Sequence, residues 1–191
     1  MSIEEQYIQN PKPWMNDAAV EYYASILKPK MRILEFGSGY STIWLEKFDP
    51  TYLVSYEHDE QWAEALQPYL ELCDITCIDE YPMSLMNVWK PQTFDIVIID
   101  GINRLKCLYW VLEHDLLAEG GTIIYDDMHR RFSQLEGKWS QEEYQDAWEV
   151  LEDEDMELLM QPNTTIEDRI ENSLGQELVG YDLTLFAHKK R

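Results

Sequence analysis

Residues 33–42, Ile-Leu-Glu-Phe-Gly-Ser-Gly-Tyr-Ser-Thr, decide how the rest of the chain is read. An apolar pair, Ile33-Leu34, leads to an acid, Glu35, and then to Gly37 and Gly39 with Ser38 between them. A helix-like segment, Ser41–Lys47, follows. A strand that turns through Gly-x-Gly into a helix brings bare backbone close to a ligand, because no Cβ stands in the way. The strand-to-helix setting raises the value of what is otherwise a common turn. A dinucleotide site wants a third glycine where this chain has Thr42, so the Ser41 and Thr42 hydroxyls would line the turn instead. Glu35 would repel a pyrophosphate and would suit an ammonium group.

Working outward, Tyr52-Leu-Val-Ser-Tyr-Glu-His-Asp59 reads as a second strand that ends on Glu57. An acid at that tip is the usual partner of ribose hydroxyls in nucleotide-type folds. The ligand so inferred has a ribose and a cation but no phosphates. Further runs are Arg32–Phe36, Ile75–Ile78, Phe94–Ile99 and Thr122–Tyr125, which read as buried strands. Helical patterns separate them at Gln61–Glu71, Ser84–Val88 and Leu105–Leu117, with Gly120-Gly121 expected to cap the last. This alternation predicts parallel pairing with right-handed crossovers and ligands at the carboxyl ends of the strands. Glu35–Thr42, Glu57, Asp79, Asp100, Asp126 and Asp127 all fall at such ends. Beyond them come a helix, Gln141–Leu151, a solvated acidic turn, Glu152–Asp155, and two more strands, Met156–Met160 and Tyr181–His188, joined by a long loop from Gln161 to Gly180.

The motifs Glu35-Phe-Gly-Ser-Gly-Tyr-Ser-Thr42, Glu57, Phe94-Asp-Ile-Val-Ile-Ile-Asp100 and Leu117-Ala-Glu-Gly-Gly-Thr-Ile-Ile-Tyr-Asp-Asp127, in this order, resemble the class I S-adenosylmethionine-dependent methyltransferases. The resemblance runs from about residue 14 to the C-terminus and is closest to small-molecule O-methyltransferases of the catechol and sugar type. It implies an α/β fold: a doubly wound, Rossmann-like, mostly parallel seven-stranded sheet with an antiparallel closing strand in three αβα layers. It implies S-adenosylmethionine as cofactor. Glu35, Gly37, Ser38, Gly39, Ser41 and Thr42 would hold its methionine part and Glu57 its ribose, with His58 and Asp79 near the adenine and Asp100 beside them. Residues 1–191 form one expected domain, with 1–29 as a helical cap over a catalytic core of 30–191. In that cap Asn16 or Asp17 would cap a helix over Ala18–Leu27. Trp14 would either cover the sheet edge or line a lid.

Asp100, Asp126 and Asp127 present hard oxygen ligands of the kind that Mg²⁺ or Ca²⁺ prefers, Mg²⁺ being the ion expected. Such an ion would orient an acceptor and lower the pKa of its hydroxyl. The alternative is that Arg104 and Arg130 neutralise the aspartates, in which case no metal binds. The chain departs from the family at the general base. Catechol-type enzymes place a lysine where this chain has Asn103, and sugar-type relatives place an acid where it has Ile102. His129 is the remaining local candidate, with Lys106 behind it; Asp100 and His129 are thus the catalytic pair expected.

Composition narrows the partners. At 191 residues with 45% hydrophobic and 13% aromatic content, the chain can bury a substantial core. Its net charge of −22 sets 15 basic residues against 37 acidic ones, which argues against nucleic acid and anionic membranes and for a small molecule, a sugar or a protein side chain as methyl acceptor. No run spans a bilayer and no signal-peptide pattern precedes the core. Three cysteines, Cys73, Cys77 and Cys107, without histidines to complete a zinc site, read as buried free thiols in a reducing cytoplasm. An oligomer is compatible with the sequence. Three competing functions stay open: an aminopropyltransferase-like enzyme, a non-catalytic S-adenosylmethionine-binding protein, and a nicotinamide-dependent oxidoreductase, the last disfavoured by Glu35 and Thr42.

Overall fold

A computed structural model describes residues 5–79, 82, 89–127, 141–161 and 184–190. Its elements in chain order are α1 (Glu5–Gln9), α2 (Asp17–Ile26), β1 (Arg32–Phe36), α3 (Tyr40–Glu46), β2 (Tyr52–Glu57), α4 (Glu60–Leu66), β3 (Ile75–Cys77), β4 (Phe94–Ile99), α5 (Arg104–Glu113), β5 (Leu117–Tyr125), α6 (Gln141–Asp153), β6 (Glu157–Gln161) and β7 (Thr184–His188). The strands form one seven-stranded sheet in the order β3-β2-β1-β4-β5-β7-β6. The first five are mutually parallel, and β7 runs antiparallel to both β5 and β6. This is the predicted doubly wound sheet with its antiparallel closure. The winding reverses between β1 and β4, and that switch point is where such sheets open a crevice.

Period-two alternation splits the strands between two cores. Leu34, Phe36, Val97, Ile99, Ile123 and Tyr125 face α5 and α6, where they meet Leu108, Val111, Ala147 and Leu151. Ile33, Leu53, Ile96, Ile98, Ile124 and Phe186 face α2 and α3, where they meet Ala19, Tyr23, Leu27 and Leu45. Both sheet faces are therefore covered and the layers number three. Each fully buried Ile, Leu or Phe contributes roughly 1.5–3 kcal/mol of transfer free energy, and this fixes strand register.

Helix α2 starts where expected, because the Asn16 side chain accepts the Ala19 backbone N–H at 2.8 Å. The acidic run 152–155 is exposed at the end of α6, also as expected. Two expectations need correction. Gly120-Gly121 does not cap a helix: α5 stops at Glu113, capped by His114, and both glycines lie inside β5. Gly120 adopts φ +71°, and the pairing jumps from Phe94↔Leu117 to Ile96↔Thr122, so the glycines mark a bulge. Cys77 is exposed on the edge strand β3, whereas Cys73 and Cys107 are buried and all three are free thiols. The short helix α1 was not anticipated. The expected helix Ser84–Val88 and the loop following Gln161 lie outside the described residues. No helix among the described residues is long and apolar enough to cross a membrane.

Candidate active site

Parallel register brings the strand tips abreast. Gly37 N–H donates to Tyr56 O at 2.8 Å, Asp100 N–H to Phe36 O at 2.9 Å, Asp126 N–H to Ile99 O at 3.1 Å and Ile78 N–H to Glu57 O at 2.7 Å. These bonds gather the residues that follow β1, β2, β3, β4 and β5 at one edge of the sheet. The predicted convergence of carboxylates is real for Glu35, Glu57, Asp100, Asp126 and Asp127.

Gly37 sits at φ +98°, and a Cβ there would lie 2.6 Å from Gly101 N and 2.9 Å from the Asp100 carbonyl carbon. It is glycine because the tip of β4 presses against it. Gly39 is different: its backbone is extended, and a Cβ would meet only the Ser41 hydroxyl at 3.7 Å. Space above this second glycine is open, as a ligand approaching bare backbone requires. Gly39 N–H donates to the Thr42 hydroxyl at 2.9 Å, which closes the turn onto α3.

Glu35 lies on the α2/α3 face of β1, one residue before the strand ends, and is wholly buried. Its Oε1 accepts the Ser41 hydroxyl at 2.7 Å; its Oε2 accepts Thr42 at 2.6 Å and Ser55 at 2.7 Å. Ser55 is its direct partner across the β1–β2 ladder. Burial pushes the Glu35 carboxyl above its ordinary range; the three hydroxyls pull it back and Glu57 pushes it further up. Glu35 thus organises the turn from beneath.

Glu57 is also buried. Its Oε1 accepts the backbone N–H groups of His58 at 2.8 Å and Asp59 at 2.9 Å, and lies 2.7 Å from His58 Nδ1. Its Oε2 accepts Ser38 N–H at 3.0 Å. Among the described residues that is the one donor to Oε2, so lone-pair capacity remains there for an incoming hydroxyl. Ser38 is further held by Ser55 Oγ at 2.7 Å and by Trp62 Nε1, which donates to its carbonyl at 2.8 Å. His58 is half-exposed, and Asp79, exposed just past β3, is the outermost of the predicted contacts.

On the other side of the switch point stand Asp100, Asp126 and Asp127, each able to place an oxygen within 4.8 Å of the others. Asp126 and Asp127 are buried, and Asp127 adopts φ +58°. Asp126 Oδ1 accepts the Thr184 hydroxyl at 2.6 Å. Burial, with the Asp100 and Asp127 charges adding to it, pushes the Asp126 carboxyl well above the usual carboxylate range. The buried guanidinium of Arg104 sits within this group. Its Nη2 is 3.0 Å from Asp100 Oδ1 and its Nη1 is 2.8 Å from Asp127 Oδ2. Burial alone would make it easier to deprotonate, but the carboxylates of Asp100, Asp127 and Asp126 outweigh burial and hold it cationic.

Two features escaped the sequence reading. Tyr23, on α2, is fully buried, and among the described residues its hydroxyl has no hydrogen-bond partner. Burial first, then the charges of Glu35 and Asp100, hold that hydroxyl protonated well above pH 10. A buried donor left unmade costs about 1–3 kcal/mol. The second is an aromatic cluster around Tyr40, the first residue of α3. Tyr7 and Trp14 lie 5.2 and 5.4 Å from its ring and Trp62 lies 5.8 Å away. Trp14 remains 63% exposed, so it stands over the glycine turn's helix without being buried by it. Asn103 is the residue preceding α5, at φ +54°. His129 and Arg130 lie outside the described residues.

No protein-family model matches the chain, and no curated protein sequence does. Solved structures match it well. An O-methyltransferase from Bacillus cereus in complex with SAH superposes with a TM-score of 0.65 at 21% identity over 97% of this chain and 90% of its own. A Klebsiella pneumoniae protein described as a candidate O-methyltransferase gives 0.65 at 21% identity, over 98% of this chain and 89% of that one. TomG of Streptomyces achromogenes, an O-methyltransferase involved in tomaymycin synthesis and solved with SAM, gives 0.62 at 19% identity over 100% and 92%. Sheet order, tip geometry and these superpositions agree: the chain has the fold of the class I S-adenosylmethionine-dependent methyltransferases.

Proposed function

We propose that the protein is an S-adenosylmethionine-dependent methyltransferase acting on an oxygen of a small molecule. The observation that carries this reading is the pairing of an open Gly39 backbone with a buried Glu57 whose Oε2 has capacity left for a ribose hydroxyl. When bound, the cofactor supplies a methyl group already activated by its sulfonium. The chain's own residues then bind, align and exclude water. Ser38 to Thr42 offer backbone and hydroxyls to the methionine part, with Glu35 holding Ser41 and Thr42 in place from below. Glu57 takes the ribose, and His58 and Asp79 border the adenine end.

Proximity and orientation provide much of the acceleration for an in-line displacement on an activated carbon. A hydroxyl acceptor must also lose its proton, for which Asp100 and His129 are the candidates, with the exposed Lys106 behind them. A net charge of −22 favours a small acceptor over nucleic acid. Mg²⁺ at Asp100, Asp126 and Asp127 is supported by ligand type and spacing. It is opposed by Arg104, which already bridges two of the three. The aminopropyltransferase-like and non-catalytic readings share the nucleoside site and differ at the acceptor.

Calorimetric titration separates the classes. S-adenosylmethionine and S-adenosylhomocysteine are expected to bind and NAD is not. Glu57→Ala should weaken S-adenosylhomocysteine roughly 5- to 150-fold, the equivalent of about 1–3 kcal/mol for a lost charged acceptor. Binding of NAD in place of the sulfonium nucleoside removes the reading, and unchanged affinity in Glu57→Ala removes Glu57 from the site.

A further inference from the structure

We infer that Arg104 is a built-in substitute for a divalent ion, and that the protein works without one. Every N–H of its guanidinium is spent at the tips of β4 and β5. Nε donates to Gly101 O at 2.9 Å and Nη2 to the carbonyl and to Oδ1 of Asp100, both at 3.0 Å. Nη1 donates to Asp126 O and approaches Asp127 Oδ2, both at 2.8 Å. The planar fork thus ties Asp100, Gly101, Asp126 and Asp127 into one arrangement, as a metal ion would by collecting oxygens. Only 8% of the side chain is exposed.

The same cluster does not suit a hard cation while Arg104 is in it. Mg²⁺ requires near-octahedral oxygens and dehydrates reluctantly. Here two of its three carboxylate ligands are paired to a fixed positive charge, and the third accepts Thr184 at 2.6 Å. An entering divalent ion would meet that guanidinium at short range in a poorly solvated site, where like charges repel strongly. Arg104 occupies the first position of α5, so helix formation itself delivers the cation to the strand tips. The chemical consequence concerns the acceptor. Without a Lewis acid to lower its pKa, a neutral alcohol would be slow, so the acceptor class is a hydroxyl acidic enough, as in a phenol, to yield its proton to a side-chain base. Arg104 is a positioning residue: it sets Asp100 and the β5 tip and does not touch the acceptor.

This inference deepens the methyltransferase reading and rests on it only for the acceptor class. Its test uses Mn²⁺ alone, measured by the loss of the free-ion electron paramagnetic resonance signal, with S-adenosylhomocysteine titrated calorimetrically into the same samples. The wild type is expected to sequester no more Mn²⁺ than Asp126→Asn, whose difference removes adventitious binding by the acidic surface. Its S-adenosylhomocysteine affinity should change less than twofold on chelation. Arg104→Met should gain one Mn²⁺ site per chain, and Asp126→Asn in that background should abolish it. Arg104→Lys, which restores one positive charge, should again exclude Mn²⁺. One Mn²⁺ held by the wild type and lost in Asp126→Asn overturns the inference, as does a folded Arg104→Met chain that gains none. Should Arg104→Met not fold, the wild type against Asp126→Asn and Arg104→Lys still decides between the two outcomes. Failure to bind S-adenosylhomocysteine would overturn the cofactor reading alone and leave the Mn²⁺ result standing.

Discussion

Two pairs of strand tips, side by side in one sheet, bury carboxylates by opposite means. At β1 and β2, Glu35 and Glu57 are met by hydroxyls and backbone: the Ser41, Thr42 and Ser55 hydroxyls for one, and backbone N–H groups beside the half-exposed His58 imidazole for the other. At β4 and β5, Asp100 and Asp127 are satisfied by a cation, Arg104. Neutral donors stabilise an acid without cancelling its charge, so the β1–β2 side keeps a field and lone pairs for a cationic, hydroxyl-bearing ligand. A guanidinium cancels what it touches. The β4–β5 side is therefore an ionic clasp that fixes geometry and leaves the partly exposed Asp100 at its rim, while the β1–β2 side is an open receptor. One crevice divides binding from bracing by the chemistry of its hydrogen-bond donors.

The largest expected effect attacks the clasp. Arg104→Met leaves buried carboxylates without their partner and should cost about 3–5 kcal/mol in chemical denaturation. Ser55→Ala removes one of three hydroxyls from Glu35 and should cost about 1 kcal/mol. Equal losses in the two variants would erase the distinction between clasp and receptor.

The two glycines come next, because they divide along the same line. Gly37→Ala forces a Cβ against Gly101 N at 2.6 Å in a left-handed conformation, and should destabilise the fold by about 1–3 kcal/mol or more. Gly39→Ala has room in the protein, with 3.7 Å to its nearest neighbour, and should change stability by less than about 1 kcal/mol while weakening S-adenosylhomocysteine binding in calorimetry. A Gly39→Ala chain with intact affinity would mean that nothing approaches the turn there.

The smallest effect probes Glu35 by pH. Its carboxyl is raised in the folded chain, by burial first. A raised folded value means that its contribution to stability is complete below the unfolded pKa, about 4.3, and fades as pH climbs through the folded value. Glu35→Gln has no such proton to lose. Thermal melts across pH should therefore show the wild type at its best relative to Glu35→Gln near pH 4, with the gap narrowing upward. A gap that widens with pH would mean that the hydroxyls, not burial, dominate at Glu35.

Much of this was legible along the chain. Phe94–Ile99 ends on four consecutive apolar residues, too many for a half-exposed strand, and both it and Arg32–Phe36 are strands with the limits expected. Glu35, Glu57, Asp100, Asp126 and Asp127 could be grouped because parallel winding sends every strand end to one edge. Gly120-Gly121 misled, since a glycine pair after an apolar helical stretch is a helix stop on local grounds and a bulge only once β4 lies beside it. Tyr23 carried no signal of its own: it is one of 12 tyrosines, on an amphipathic helix, and its lone hydroxyl exists only because the core closes around it.

The order of strands, turns and acids in the chain was enough to determine the sheet and the edge at which chemistry collects, because apolar period and glycine placement are local properties. Which carboxylate keeps its charge for a ligand, and which surrenders it to Arg104, was decided only by tertiary structure. Sequence spacing places a guanidinium near three aspartates. Only packed helix and strand tips, at 2.8–3.0 Å and around a guanidinium that is 8% exposed, turn that nearness into a completed set of bonds.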